Sequence, residues 1–312
     1  MKQITLTTTL FCIFSSITYA SDGLSESIIK HNDMIKKIEQ QKSSKEEKSE
    51  GYSFFKTAMQ HINYEERYVY KKDHADRGIK KGDVQKNDFS GTNLVTIGGN
   101  IAPINDRYDF SFETVSTLIP QEINEEWTVG GVANQTDKAT IDFTQITFLI
   151  HQKYTPKHRA VGGIEFKKLA FERYDFGLPN GDNAFPDLSD KDQTLVNIRE
   201  RISSLSFDAG YWYESGNVGK EGWHYNAKAL VKVPVWQNAE NTSAPDVSFS
   251  DPSGYDFDLE LGASYTIVPN IDVGLLAGYS YIFRKGASQG NVHWPENTFQ
   301  AYTLGLSFNW NL

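Results

Sequence analysis

The stretch YTLGLSFNWNL, residues 302–312, decides the fold. Tyr302, Leu304, Leu306, Phe308, Trp310 and Leu312 fall on one side of an extended chain. Thr303, Gly305, Ser307, Asn309 and Asn311 fall on the other, because successive side chains of a strand point to opposite faces. The same period of two runs through 254–267, where Tyr255, Phe257, Leu259, Leu261 and Tyr265 alternate with Asp256, Asp258, Glu260 and Ser264. It recurs over 271–284, 222–236 and 106–118. A soluble strand typically has about 5–6 residues, whereas crossing a bilayer takes roughly 9–11. Aromatic residues cluster toward the ends of these runs and small aliphatics fill their middles. That is the distribution of a lipid-facing surface with interfacial girdles.

Composition points the same way. Aromatic residues make up 13% of the chain, with 16 Tyr and 19 Phe, which suits strands with aromatic surfaces. No apolar run after residue 20 reaches the length of a membrane helix. The net charge of −9 excludes the basic footprint of a nucleic-acid binder. Cys12 is the single cysteine and lies within an N-terminal segment that reads as a signal peptide. Lys2 is its positive end, 4–17 its apolar run, and Thr18-Tyr19-Ala20 its cleavage site. The chain that remains has no thiol for a disulfide, a metal or a nucleophile. No cofactor is expected.

Residues 21–53 are polar. Leu24, Ile28, His31, Ile35 and Ile38 recur at spacings of four and three, as one short amphipathic helix would need. This segment is expected to be a periplasmic tail, with a periplasmic partner as one possible use. From residue 54 to 312 the pattern predicts ten strands, near 54–71, 92–102, 106–118, 138–153, 157–174, 194–213, 222–236, 254–267, 271–284 and 299–312. The phase is expected to slip around Lys167-Lys168 and around 202–205, where a bulge would restore it. Long connections at 72–91, 119–137, 175–193, 237–253 and 285–298 alternate with short ones. Bacterial barrels have even strand numbers, short periplasmic turns and long external loops. The expectation is an all-β fold: a closed antiparallel transmembrane β-barrel with a short N-terminal periplasmic tail, in the outer membrane. Its partners would be the lipid bilayer and its lipopolysaccharide.

The last segment, Tyr302, Leu304, Leu306, Phe308, Trp310 and Leu312, resembles the C-terminal sorting signal that outer-membrane barrels present to the barrel-assembly machinery. It departs from that pattern by ending on Leu312 instead of an aromatic. Over 54–312 the chain is similar in architecture to the omptins, ten-stranded surface proteases. The first strand reads Glu65-Glu66-Arg67-Tyr68-Val69-Tyr70, and Val268-Pro269-Asn270 forms the turn before the ninth. The resemblance implies a pair of aspartates and an Asp–His pair at the outer rim. The fourth external loop offers Asp246 and Asp251 but no histidine, and the second offers Glu122, Glu125 and Glu126 but no aspartate pair. The architecture carries over and the catalytic set does not.

Seven histidines occur, none at metal-ligand spacing from another. The alternation sends His224, Lys228 and Lys232 inward on one strand and Asp256, Asp258 and Glu260 inward on the next. Glu165, Arg199, Arg201, Asp208, Asp272 and Arg284 are expected to join them in a lumen network. A barrel of ten strands is only slightly wider than one that side chains fill. Trp127, Trp236, Trp294, Tyr174, Phe176, Phe185 and Phe249 are expected in the upper girdle. The function expected is a non-enzymatic surface binding or membrane-integrity role. The alternatives are a narrow channel for small solutes and an omptin-like surface hydrolase.

Overall fold

A computed structural model gives the fold and describes residues 51–311, apart from 74, 76–77, 181, 183–191, 193–195 and 290–291. The segments expected to be a signal peptide and a polar tail, up to residue 50, lie outside the described residues, as do Phe185 and Leu312. The strands are β1 (Tyr52–Val69), β2 (Val84–Pro103), β3 (Tyr108–Ile119), β4 (Ile123–Val129), β5 (Val132–Lys153), β6 (His158–Gly177) and β7 (Asn197–Glu214). They continue with β8 (Trp223–Asn241), β9 (Ser248–Phe249), β10 (Gly254–Val268), β11 (Ile271–Arg284), β12 (Ala287–Gln289), β13 (Val292–Trp294) and β14 (Glu296–Asn311).

Ten staves close into a barrel, because β1 pairs antiparallel with both β2 and β14. Closure leaves no free edge, which a sheet crossing lipid requires. β3 and β4 together form one stave: β3 pairs with β2 and β5, and above Pro120 β4 resumes pairing with the same two strands. Proline has no N–H to donate, so the ladder breaks there and continues.

This corrects the connection expected at 119–137. Instead of a long loop it holds β4 and the start of β5, joined by Gly130-Gly131 with φ of 58° and 82°. Positive φ at both central residues is the turn that matches strand twist. The strict alternation of long and short connections therefore fails at the second external position. β2 and β8 also run further outward than 92–102 and 222–236. Apolar alternation on the outer wall stops where the staves rise above the belt, and the expectation stopped with it.

The polarity of the wall inverts with height. In the lower part, Phe55, Met59, Phe207, Val231, Leu275 and Leu304 point outward and are exposed, while the inward face combines charged residues such as Lys56, Glu165 and Lys232 with apolar ones such as Phe54, Ile97 and Trp212. Higher up, His61, Glu65, Asp88 and Asp142 are on the outside. There Ile62, Tyr64, Phe89, Phe143, Phe171 and Phe299 are buried together inside. The lower part has the surface of a body in lipid, and the upper part that of a body in water.

Two phase expectations change. β6 pairs without a slip through Lys167 and Lys168. The irregularity near residue 205 sits on the partner strand: Leu205 faces Trp236 and Ser206 faces Pro234, so Val235 is the extra residue. Of the expected girdle, Phe176, Phe249 and Trp294 are buried, and the last two meet with tilted rings, centroids 5.9 Å apart.

Candidate functional site

The lumen at belt height is filled from several staves. Lys228 on β8 reaches across to Glu113 on β3 at 3.0 Å and lies 3.5 Å from Glu260 on β10. Lys56 on β1 meets the other oxygen of Glu260. Lys232 is fully buried and pairs with Glu165 and Asp258. Lys167 lies 2.8 Å from both Glu165 and Asp256, and Arg284 closes on Asp256. Burying charges is tolerable only when they are paired and hydrogen-bonded, and this ladder pairs them around and across the barrel. The space left beside Gln60, Gln145, Lys228 and Glu260 is about 60 Å³, room for about two water molecules.

At the lower end, Asp272 accepts from Gly219 N at 3.0 Å and Thr266 Oγ1 at 2.8 Å, with His224 Nε2 3.8 Å away. Asp109 lies 2.8 Å from Lys153, and Arg159 meets Glu214 at 2.5 Å. His151 is buried with Nε2 2.7 Å from Ser111 Oγ. His151 has no exposed surface and Ser111 is 4% exposed, so the pair is buried within the barrel.

Of the expected lumen residues, His224, Lys228, Lys232, Asp256, Asp258, Glu260, Asp272, Arg284, Glu165 and Asp208 point inward. Arg199 and Arg201 do not. Their side chains are 70% and 53% exposed on the outer wall, paired with Glu172 and Glu240. Even-numbered residues of β7 face inward from Glu200 to Glu214, so the anticipated slip, which would have turned the two arginines in, does not occur. Lys56, Glu113 and Lys167 were not anticipated. Lys56 and Glu113 each stand in clean alternation and could have been read; Lys167 was hidden by the assumed slip.

Above the buried apolar layer the inside turns polar again. Arg173 on β6 stands among carboxylates from four staves: Glu125 at 2.8 Å, Glu66 at 3.3 Å, Asp137 at 4.0 Å, and Glu200. Trp127 and Phe171 flank its guanidinium at 5.3 and 5.2 Å. These groups lie beyond the lipid belt. Burial, with the Glu125 carboxylate beside it, pushes Asp137 up to about 8. Burial also raises Glu66 to about 7, against the pull of Arg173. Gln135 Nε2 donates to Asp137 Oδ1 at 3.3 Å, and Oδ2 accepts no hydrogen bond, with Arg173 Nε 4.0 Å away.

This cluster floors an outward-opening cavity of about 730 Å³, lined by Glu66, Tyr68, Trp127, Glu200, His293 and Pro295. The His293 ring stacks on Tyr68 at 4.6 Å. Glu125 is thus part of the cage, whereas Glu122 bonds Tyr174 on the outer wall and Asp246 and Asp251 are exposed. No group of His, Cys, Asp and Glu among the described residues is arranged to hold a metal ion.

No protein-family model matches the sequence, and no curated protein matches it. Among solved structures the fold is similar to the outer membrane protease OmpT from Escherichia coli, at TM-score 0.57 and 11% identity. That match covers 84% of this chain and 97% of OmpT. OprG from Pseudomonas aeruginosa follows at TM-score 0.35 and 12% identity, covering 85% and 98%. Ail from Yersinia pestis matches at 0.30 and 10%, covering 84% and 99%. The first likeness establishes an outer-membrane-type β-barrel, omptin-like in architecture, and establishes the fold alone.

Proposed function

We propose that this chain is an outer-membrane barrel that is closed at bilayer depth and works as a non-enzymatic binding protein through its outer mouth. The observation that carries the reading is the contrast between a cavity of about 60 Å³ beside Gln60, Lys228 and Glu260 in the charged lumen and one of about 730 Å³ at the mouth. The same contrast speaks against a channel for solutes. At the cavity floor Glu66, Glu125 and Glu200 surround Arg173, Arg67 and Lys72 stand on the cavity lining, and Tyr68, Trp127 and His293 add ring faces. A small organic cation that reaches the floor carboxylates and the ring faces is the ligand this reading takes. His293 stacks on Tyr68 with Nδ1 2.8 Å from Ser288 Oγ, which supports a binding role for its ring face.

The reading places the short turns in the periplasm and the mouth outside. The reading puts lipopolysaccharide against the outer wall above the belt, where Lys168, Arg199 and Arg201 stand among Asp142, Glu172 and Glu240 around one groove. The alternating β14 is offered as the segment read by the barrel-assembly machinery.

Two measurements test it. Refolded barrel in a planar bilayer should show no steady conductance. Calorimetric titration with spermidine should give saturable heat that Glu200→Gln removes. Steady conductance, or heat unchanged by Glu200→Gln, would replace the binding reading.

A further inference from the structure

Four carboxyl groups share one guanidinium below the mouth cavity. Glu66 on β1, Glu125 on β4, Asp137 on β5 and Glu200 on β7 all face Arg173 on β6, and the first three are almost fully buried. The groups between them are neutral. Tyr64 donates to Glu66 at 2.7 Å, Asn87 Nδ2 to Glu125 at 2.9 Å, and Asn241 to Glu200. Asn87 and Asn297 oppose Glu66 from β2 and β14. The lining above adds Arg67, Lys72 and His293. Fully ionised, the cage would hold an excess of negative charge that burial does not tolerate.

One carboxyl is placed to keep a proton. Glu125 and Asp137 stand directly opposite on the β4–β5 ladder, where like charges repel, and of two carboxyl groups sharing a site one stays protonated. Glu125 accepts from Asn87 and from Arg173 Nε. Asp137 receives one bond, from Gln135, and its Oδ2 accepts none. Burial, with Glu125 beside it, holds its carboxyl at about 8. Glu66 and Glu200 line the cavity, whereas Asp137 is not part of the lining.

We infer that cation binding at the mouth is coupled to release of a proton from Asp137. This coupling rests on the binding role proposed above. An ammonium group seated on Glu66 and Glu200 takes over two of the carboxylates that Arg173 serves. The guanidinium charge then falls to Glu125 and Asp137, and the Asp137 O–H bond breaks, its proton passing to solvent. One positive charge enters as another leaves, so the buried cage never carries its full negative charge. The mouth therefore loads at neutral pH and empties in acid.

The test is calorimetric titration of the refolded full-length barrel with spermidine, whose amines are all charged at about pH 7. It is run in PIPES and in imidazole, buffers that differ in heat of ionisation, so the difference in heat counts protons. Release of about one proton per bound spermidine is expected at about pH 7, with affinity falling roughly tenfold per pH unit from there to about pH 5. In Asp137→Asn the count per bound spermidine should drop to near zero. Equal heats in the two buffers, or proton uptake, would overturn the coupling and leave the binding role standing. A count unchanged in Asp137→Asn would overturn it as well. No saturable heat in either buffer would remove the binding role, and the coupling with it.

Discussion

Lys228 on β8 and Glu113 on β3 meet at 3.0 Å although β7, β6 and β5 stand between their strands in the sheet. The bond therefore crosses the lumen. Staves joined this way are bridged across the lumen at that height, and each of the two buried charges is held by its partner.

Removing one partner of a desolvated pair leaves an uncompensated buried charge, at a cost of about 3–5 kcal/mol. Lys232→Ala should therefore destabilise the barrel strongly, since its ammonium is fully buried against Glu165 and Asp258. The double variant Lys232→Ala/Asp258→Ala should recover part of the loss. Urea titration of folding into lipid vesicles measures both. A single variant as stable as the parent would mean the lumen is wet.

Asp208 should behave in the opposite way. It stands across the ladder from Lys232, 4% exposed, and neither carboxylate oxygen accepts a hydrogen bond. Glu165, Asp256 and Asp258 already serve Lys167, Lys232 and Arg284. Asp208→Asn is expected to leave stability unchanged or raise it in the same titration. A loss on the scale of Lys232→Ala would show that Asp208 is an essential partner.

The mouth should loosen as pH rises. Asp137 and Glu66 are raised to about 8 and about 7 in the fold, whereas an ordinary carboxyl titrates near 4. The folded state thus holds more protons between about pH 4 and 8, and stability falls as pH rises through that window. Below it the contribution is complete, and above it the contribution is gone. Hydrogen exchange of the outer ends of β1 and β5 should accelerate from pH 5 to pH 8 beyond the intrinsic rate change. Asp137→Asn should remove most of that dependence; an unchanged profile in the variant would rule out this cluster as its origin.

Belt height can be checked on one strand. Leu306→Arg places a charge at mid-belt and should cost about 2–4 kcal/mol. Gln300→Arg, six residues further out on the same face of β14, should cost much less. Equal losses would mean the belt reaches higher than the change in wall polarity indicates.

Period-two alternation in 222–236, 254–267, 271–284 and 302–312 determined the barrel, its strand number and most inward positions, because in the belt lipid outside and charge inside put opposite chemistry on alternate residues. Lys228 and Glu260, direct neighbours across the β8–β10 ladder, were legible for the same reason. The signal weakens above the belt, where Tyr64, Phe89 and Phe171 turn inward and Glu65, Asp88 and Glu172 outward. There β4 looked like a loop, and Arg199 and Arg201 looked like lumen residues. The Arg173 cage was beyond sequence reading altogether. Its carboxylates come from β1, β4, β5 and β7, residues 66 to 200 along the chain. Alternation tells which side of a wall a residue faces; only closure of the wall, with its tilt and stagger, decides which residues meet across it.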